Sequence, residues 1–268
     1  MAKPTLYVFP TCPYAQRVSV IAKLKGSDLL NIVDIDPSKP RSAEFLKKSG
    51  GSTAVPLLET SDGRILRESL VLMTYLDEAL PGPTIRRADP YEHAIERIFL
   101  TRADALFSAS YVFLNNQKAE ARQALLDKIL SILEDLNKLL LEHNPLGTTF
   151  LFDKFGLVEA AFAPGFQRLW YLEYFENFSI PNDTAKYGRV SAWIKACRAH
   201  PAANQVNEEQ IVKTSYDLAM GSIGSTVPPG RTRSVAGWET DWRQRPYPPK
   251  DHKYTDKRAT DKELGLVD

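Results

Sequence analysis

The sequence predicts an α/β domain followed by an all-helical one, and three observations carry that prediction. The first 80 or so residues spell strands and helices in the order βαβαββα. From about residue 90 the apolar residues recur at helical spacing, with charges on the opposite face and no convincing strand. Between the two regimes PGPTIRRADP, residues 81–90, has the proline and glycine punctuation of a linker.

Taken in order, residues 5–9 (TLYVF) read as a strand, and 13–25 as a helix that stops at Gly26. NIVDID, residues 31–36, is a second short strand; the proline of SKPR then opens a loop into a short helix around EFLKK. AVPLLET and GRILRE are strands separated by SDG, which predicts a hairpin. ESLVLMTYLDEAL sets Leu70, Leu72, Met73 and Leu76 along a helical stripe that ends before Pro81. HAIERIFLTRADALF and ALLDKILSILEDLNKLLLEHN carry leucine and isoleucine on one face. The domains expected are 1–82, 90–220, and a C-terminal extension, 221–268. Charges and prolines in that extension fit disorder. Trp238, Trp242 and Tyr247 argue instead for an irregular tail packed on the body.

Composition excludes several classes. Of the 268 residues, 43% are hydrophobic and 25% charged, which suits a globular protein with a substantial core. With 34 basic against 33 acidic residues, nothing in the net charge points to nucleic acid. The two cysteines, Cys12 and Cys197, are too few for a disulfide framework or a metal cluster, so no metal is expected. MAKPTLYVF lacks the features of a signal peptide, and no apolar run reaches membrane-spanning length. No membrane partner and a cytoplasmic location are therefore expected.

The chemistry centres on TCPYAQRV, residues 11–18, where Cys12 stands between the first strand and the first helix. A thiol there meets unpaired N–H groups and the positive end of the helix dipole, which favour a thiolate, and only the thiolate attacks. Pro13 suits the first helical position. The competing reading is a buried, inert cysteine. Residue 15 is alanine, so a resolving thiol is missing and the second thiol must come from elsewhere, most readily from glutathione. Cys197, in SAWIKACRAHPA, reads as core.

A βαβαββα unit with cysteine at the end of strand one resembles the thioredoxin fold. TCPYAQRV, SKP with EFLKK, AVPLLET and RESLVLMTYLDE together resemble the omega-class glutathione S-transferases, and DKFGLVEAAFAPGFQRLW with WIKACRAHP continues the likeness more weakly. The resemblance implies a glutathione site. Cys12 would be the catalytic residue, flanked by Pro13 and Tyr14. Val55-Pro56 matches the family's cis-proline pair, where the Val55 backbone meets the cysteinyl unit; an ordinary trans proline is the alternative. Glu68 and Ser69 match the acidic-serine pair for the γ-glutamyl end, although Ser69 also fits a plain N-cap. Lys39 matches the lysine that meets the glycyl carboxylate, with Lys47 and Lys48 as substitutes. Gly156 and Glu159 stand where the family usually has Ser or Thr and Asp in a capping box.

The resemblance also implies a reaction. Cysteine replaces the usual tyrosine or serine, so it can attack the glutathione sulfur itself and leave a mixed disulfide that a second glutathione resolves. Chain length, SGGSTAVP and the tail ending TDKELGLVD resemble the bacterial glutathione-dependent thioether lyases of lignin β-aryl-ether degradation. That implies a homodimer acting on an aromatic glutathione conjugate, with Phe107, Tyr111, Tyr171 and Tyr216 as candidates for its pocket. The alternatives are an omega-like thiol transferase, reducing mixed disulfides or dehydroascorbate, and a non-catalytic glutathione-binding protein.

Overall fold

The computed structural model describes residues 3–222, 227–236 and 242–267; Trp238 lies outside them. Its sheet has the order β2-β1-β3-β4. Strand β1 (Thr5–Val8) runs parallel to β2 (Asn31–Asp34) and antiparallel to β3 (Leu57–Glu59), while β4 (Ile65–Leu66) closes a hairpin with β3. Leu6 sits opposite Ile32 on one side and Leu58 on the other. Helix α1 (Pro13–Lys25) makes the crossover from β1 to β2, α2 (Ala43–Ser49) leads to β3, and α3 (Ser69–Ala79) follows β4. This is the thioredoxin-like arrangement expected.

Local chemistry sets the helix starts. Ser42 caps α2 by accepting from the Phe45 N–H, and Asp89, ahead of Pro90, accepts from Tyr91 and Glu92 at the next helix. The linker is bolted to the first domain by Lys25, whose buried ammonium donates to the carbonyls of Asp77 (2.7 Å) and Pro83 (3.1 Å). At Gly82, with φ of 108°, a Cβ would lie 2.9 Å from the Lys25 carbonyl oxygen, so only glycine fits there.

The rest of the body is helical: α4 (Pro90–Leu100), α5 (Ala103–Asn115), α6 (Arg122–His143), α7 (Leu157–Phe175), α8 (Thr184–Ala199), α9 (Glu208–Thr214) and α10 (Tyr216–Ala219). HAIERIFLTRADALF, which reads as one helical stretch, is broken at Thr101 and Arg102, where the Thr101 hydroxyl bonds back to the Ile98 carbonyl. Helix α7 is buried on every face and packs against α1, α5, α8 and α9. It therefore carries the boundary between the two halves, and a single apolar cluster runs through both, from Leu6 and Val18 to Phe162 and Leu169.

The start of α7 departs from the family's usual cap as the sequence suggests. Glycine at 156 offers no side-chain acceptor, but Glu159 reaches back to the Gly156 N–H (2.9 Å). Its other oxygen takes the Leu151 N–H (2.8 Å) and the Trp193 indole N–H (3.0 Å). One buried carboxylate thus ties α7, the preceding loop and α8 together.

The described part of the C-terminal extension is irregular and packed down. Val235, Ala259, Leu264 and Leu266 are buried. Asp217 accepts from Arg231 (2.7 Å), Ser234 and the Val235 N–H, and Arg231 also pairs with Asp261 (2.7 Å). Glu176, at the end of α7, receives the Tyr254 hydroxyl (2.9 Å), the Lys253 ammonium (3.3 Å) and the Arg122 guanidinium (3.2 Å). No helix among the described residues is long and apolar enough to cross a membrane.

Candidate active site

Cys12 is the N-cap of α1: its N–H bonds the Phe9 carbonyl (2.8 Å), and its carbonyl accepts the first helical bond from Gln16 (2.9 Å). The Val55-Pro56 bond is cis, and the Cys12 Sγ lies 3.8 Å from the Val55 carbonyl oxygen, to which a thiol can donate. The residue is partly exposed, yet burial is the largest influence on the sulfur and pushes the thiol above its ordinary value of 9.0. Pulling it down are the N–H groups of Ala15 and Tyr14 and the charges of Arg168 and Arg17. The helix start does what was expected of it; the enclosure outweighs it, which corrects the expectation of a stable thiolate at neutral pH.

Around the sulfur, α1 presents an aromatic and a cation. The Tyr14 ring stacks on Phe107 of α5 at 5.3 Å and 24°, and the Arg17 guanidinium lies 4.3 Å from the Phe107 ring centroid. Phe107 comes this close to α7 because residue 165 is glycine: a Cβ there would meet the ring at 2.9 Å. Arg17 is fully buried and donates to Asp104 (2.8 Å) and to the Ser69 hydroxyl (3.2 Å). Ser69 is the first residue of α3, so the plain N-cap reading does not hold; the N-cap is Glu68. Glu68 has φ of 70° and ψ of 105°, a conformation that costs a non-glycine residue free energy and that clusters at binding sites.

Cys12, Pro13, Tyr14, Val55, Pro56, Ser69 and Phe107 therefore share one end of the sheet. Lys39 is more loosely attached: its ammonium is 3.5 Å from Asp36, and its side chain is 58% exposed. Its loop is held toward the Val55 segment by Arg41, which donates to the carbonyls of Thr53 (3.1 Å), Asp36 (3.1 Å) and Lys39 (3.2 Å). Lys48 is occupied by Glu59 (2.8 Å) and the Tyr7 hydroxyl (2.9 Å), which hold its pKa up. Tyr111 is 40% exposed on α5. Tyr171 is buried, gives its hydroxyl to Ser110 (3.2 Å), and has its pKa pushed up to about 12, chiefly by burial. Tyr216 anchors the tail instead: its hydroxyl is 2.7 Å from His252 Nδ1 and accepts the Ala259 N–H (2.8 Å).

Comparison with known proteins decides what this site belongs to. Residues 6–84 match the model of the glutathione S-transferase N-terminal domain, and residues 119–196 that of its C-terminal domain. Protein IN2-1 homolog A of Oryza sativa subsp. japonica is 30% identical over 181 residues, which is 66% of this chain and 70% of that protein. The chain is a glutathione S-transferase family member.

Its likeness to the omega class extends to glutathione S-transferase omega-1 of Sus scrofa, 25% identical over 206 residues, 76% of this chain and 80% of the relative. Among solved structures, glutathione transferase Omega 3C from Trametes versicolor superposes with a TM-score of 0.64 at 24% identity, covering 76% of this chain and 89% of that one. The co-substrate of this glutathione S-transferase family is glutathione. Several site residues were missed by sequence reasoning: Gln16, Arg17, Arg41, Asp104 and Arg168. Two of them carried a signal. Arg168 falls within the largely apolar run FAPGFQRLWYL of α7, and Arg17 falls on the buried side of α1, so each required a partner inside the fold.

Proposed function

We propose that this protein is a cytoplasmic, homodimeric glutathione-dependent thioether lyase that removes glutathione from α-glutathionyl aryl ketones. The supporting observation is the sulfur itself: Cys12 Sγ stands at the start of α1, 3.8 Å from the Val55 carbonyl, with Ala15 where a resolving thiol would be. Glutathione would lie along the Val55 backbone, with its γ-glutamyl end at Glu68 and Ser69, its glycyl end toward Lys39, and its sulfur between Cys12 and Tyr14. The Cys12 thiolate attacks the glutathione sulfur, the sulfur–carbon bond breaks, and its electron pair leaves on the carbon as an enolate that takes a proton to become the ketone. A second glutathione thiolate attacks the Cys12–glutathione disulfide, releasing oxidised glutathione and returning the Cys12 thiolate. The stacked Tyr14 and Phe107 rings and exposed Tyr111 offer a flat surface for an aryl group.

The same sulfur would serve an omega-like thiol transferase, and the likeness to the porcine omega-1 enzyme favours keeping that reading. Incubating the protein and glutathione with each enantiomer of an α-glutathionyl aryl ketone, beside a plain mixed disulfide, separates the two. Ketone release in step with oxidised glutathione is the expected result; reduction of the disulfide with no ketone release would establish the second reading.

A further inference from the structure

Arg168 reaches across the boundary between the two halves. Its guanidinium, on α7, is buried and donates to the carbonyl of Thr11, the residue before Cys12, and to the Gln16 side chain (2.8 Å) in the first turn of α1. A third bond goes to the Pro164 carbonyl of its own helix (3.3 Å). Gln16 is held in turn by Gln167 and by the Ala203 carbonyl (3.4 Å), which Gln167 also reaches (2.9 Å). The chain is thus gripped on both sides of the sulfur by one side chain of the helical domain. No carboxylate is within bonding distance of this guanidinium among the described residues, and its positive charge acts on Cys12. Burial lowers the Arg168 pKa to about 10, which leaves it charged at neutral pH.

We propose that Arg168 is the positioning residue through which the helical domain sets both the place and the charge of the Cys12 sulfur, its fork fixing the Thr11–Gln16 turn and its cation favouring the thiolate. The inference deepens the lyase reading and rests on its premise that Cys12 is the reacting atom, but not on the identity of the substrate. The other groups facing the sulfur are Tyr14 and Arg17 from α1; Asp104 from α5 acts on both of these. They remain unaltered in the test.

The experiment follows carbamidomethylation of Cys12 by iodoacetamide against pH, by intact-mass spectrometry on the full chain, without any substrate. Replacing Arg168→Met removes both the charge and the fork. The expected result is a midpoint raised by about one pH unit, a roughly tenfold slower reaction near neutral pH, and a lower plateau rate above the midpoint. Arg168→Lys should return the midpoint while leaving the plateau low, because an ammonium restores the charge without the two-pronged grip. If Arg168→Met does not fold, as judged by its thermal transition, Arg168→Gln removes the charge while leaving a donor for the Thr11 carbonyl; the same rise in midpoint is expected. A folded Arg168→Met, or failing that Arg168→Gln, with the wild-type midpoint would overturn the proposal. So would a lysine variant that behaves like the methionine one. Normal alkylation shifts with no ketone release from any conjugate would sink the lyase reading alone.

Discussion

The two cysteines sit in opposite electrostatic surroundings although burial pushes both thiols up. Cys12 faces two helix N–H groups and two arginines, all of which pull its pKa down. Cys197, fully buried on α8, has the Glu159 carboxylate as a neighbour, which drives it higher still, against only Arg189. Enclosure raises both, and the sign of the charges enclosed with each sulfur tells them apart: they oppose burial at Cys12 and add to it at Cys197.

The strongest way to break this contrast is to remove each sulfur. Cys12→Ser should lower conjugate turnover on the order of a thousandfold or more while glutathione affinity, measured calorimetrically, changes little. Unchanged turnover would end the assignment of Cys12. On the other side, Glu159→Ala strands the Leu151, Gly156 and Trp193 donors; we expect a loss of about 3 kcal/mol in urea unfolding. Stability within about 0.5 kcal/mol of wild type would show that the carboxylate is not the tie it resembles.

The pH profile sharpens the same contrast. Because the Cys12 pKa is raised above 9.0 and the deprotonated form attacks, turnover should climb about tenfold per unit from near pH 7 to near pH 9. A plateau already at neutral pH would mean that the helix start and the arginines outweigh burial when substrate is bound. The smallest effect belongs to Cys197→Ser. Turnover should be unchanged and stability lower by about 1 kcal/mol, for placing a hydroxyl in an apolar setting.

Much of the fold was legible because its signals are local. Residues 13–25 announce a helix by Pro13 at the start and Gly26 at the end, and PGP marks the linker by the same chemistry. The break at Thr101 was not legible, since apolar spacing continues across it and the competing bond is a side-chain choice. At the site, the position of Cys12 followed from strand and helix periodicity. The partners of Arg41 and Arg168 did not, because each side chain bonds the carbonyl of a residue remote in sequence, and a carbonyl leaves no mark there. Tyr216 shows the converse: an aromatic that suits a pocket by type is claimed by His252 and Ala259 of the tail.

The sequence by itself determined the order of strands and helices, the junction that carries the sulfur, and the missing partner at residue 15, because hydrophobic period, proline and glycine act over a few neighbours. Only the tertiary structure decided the protonation balance of Cys12. That balance is a sum of desolvation and of charges brought in by Arg168 from 156 positions away, and desolvation exists only once helices from both halves close around the thiol.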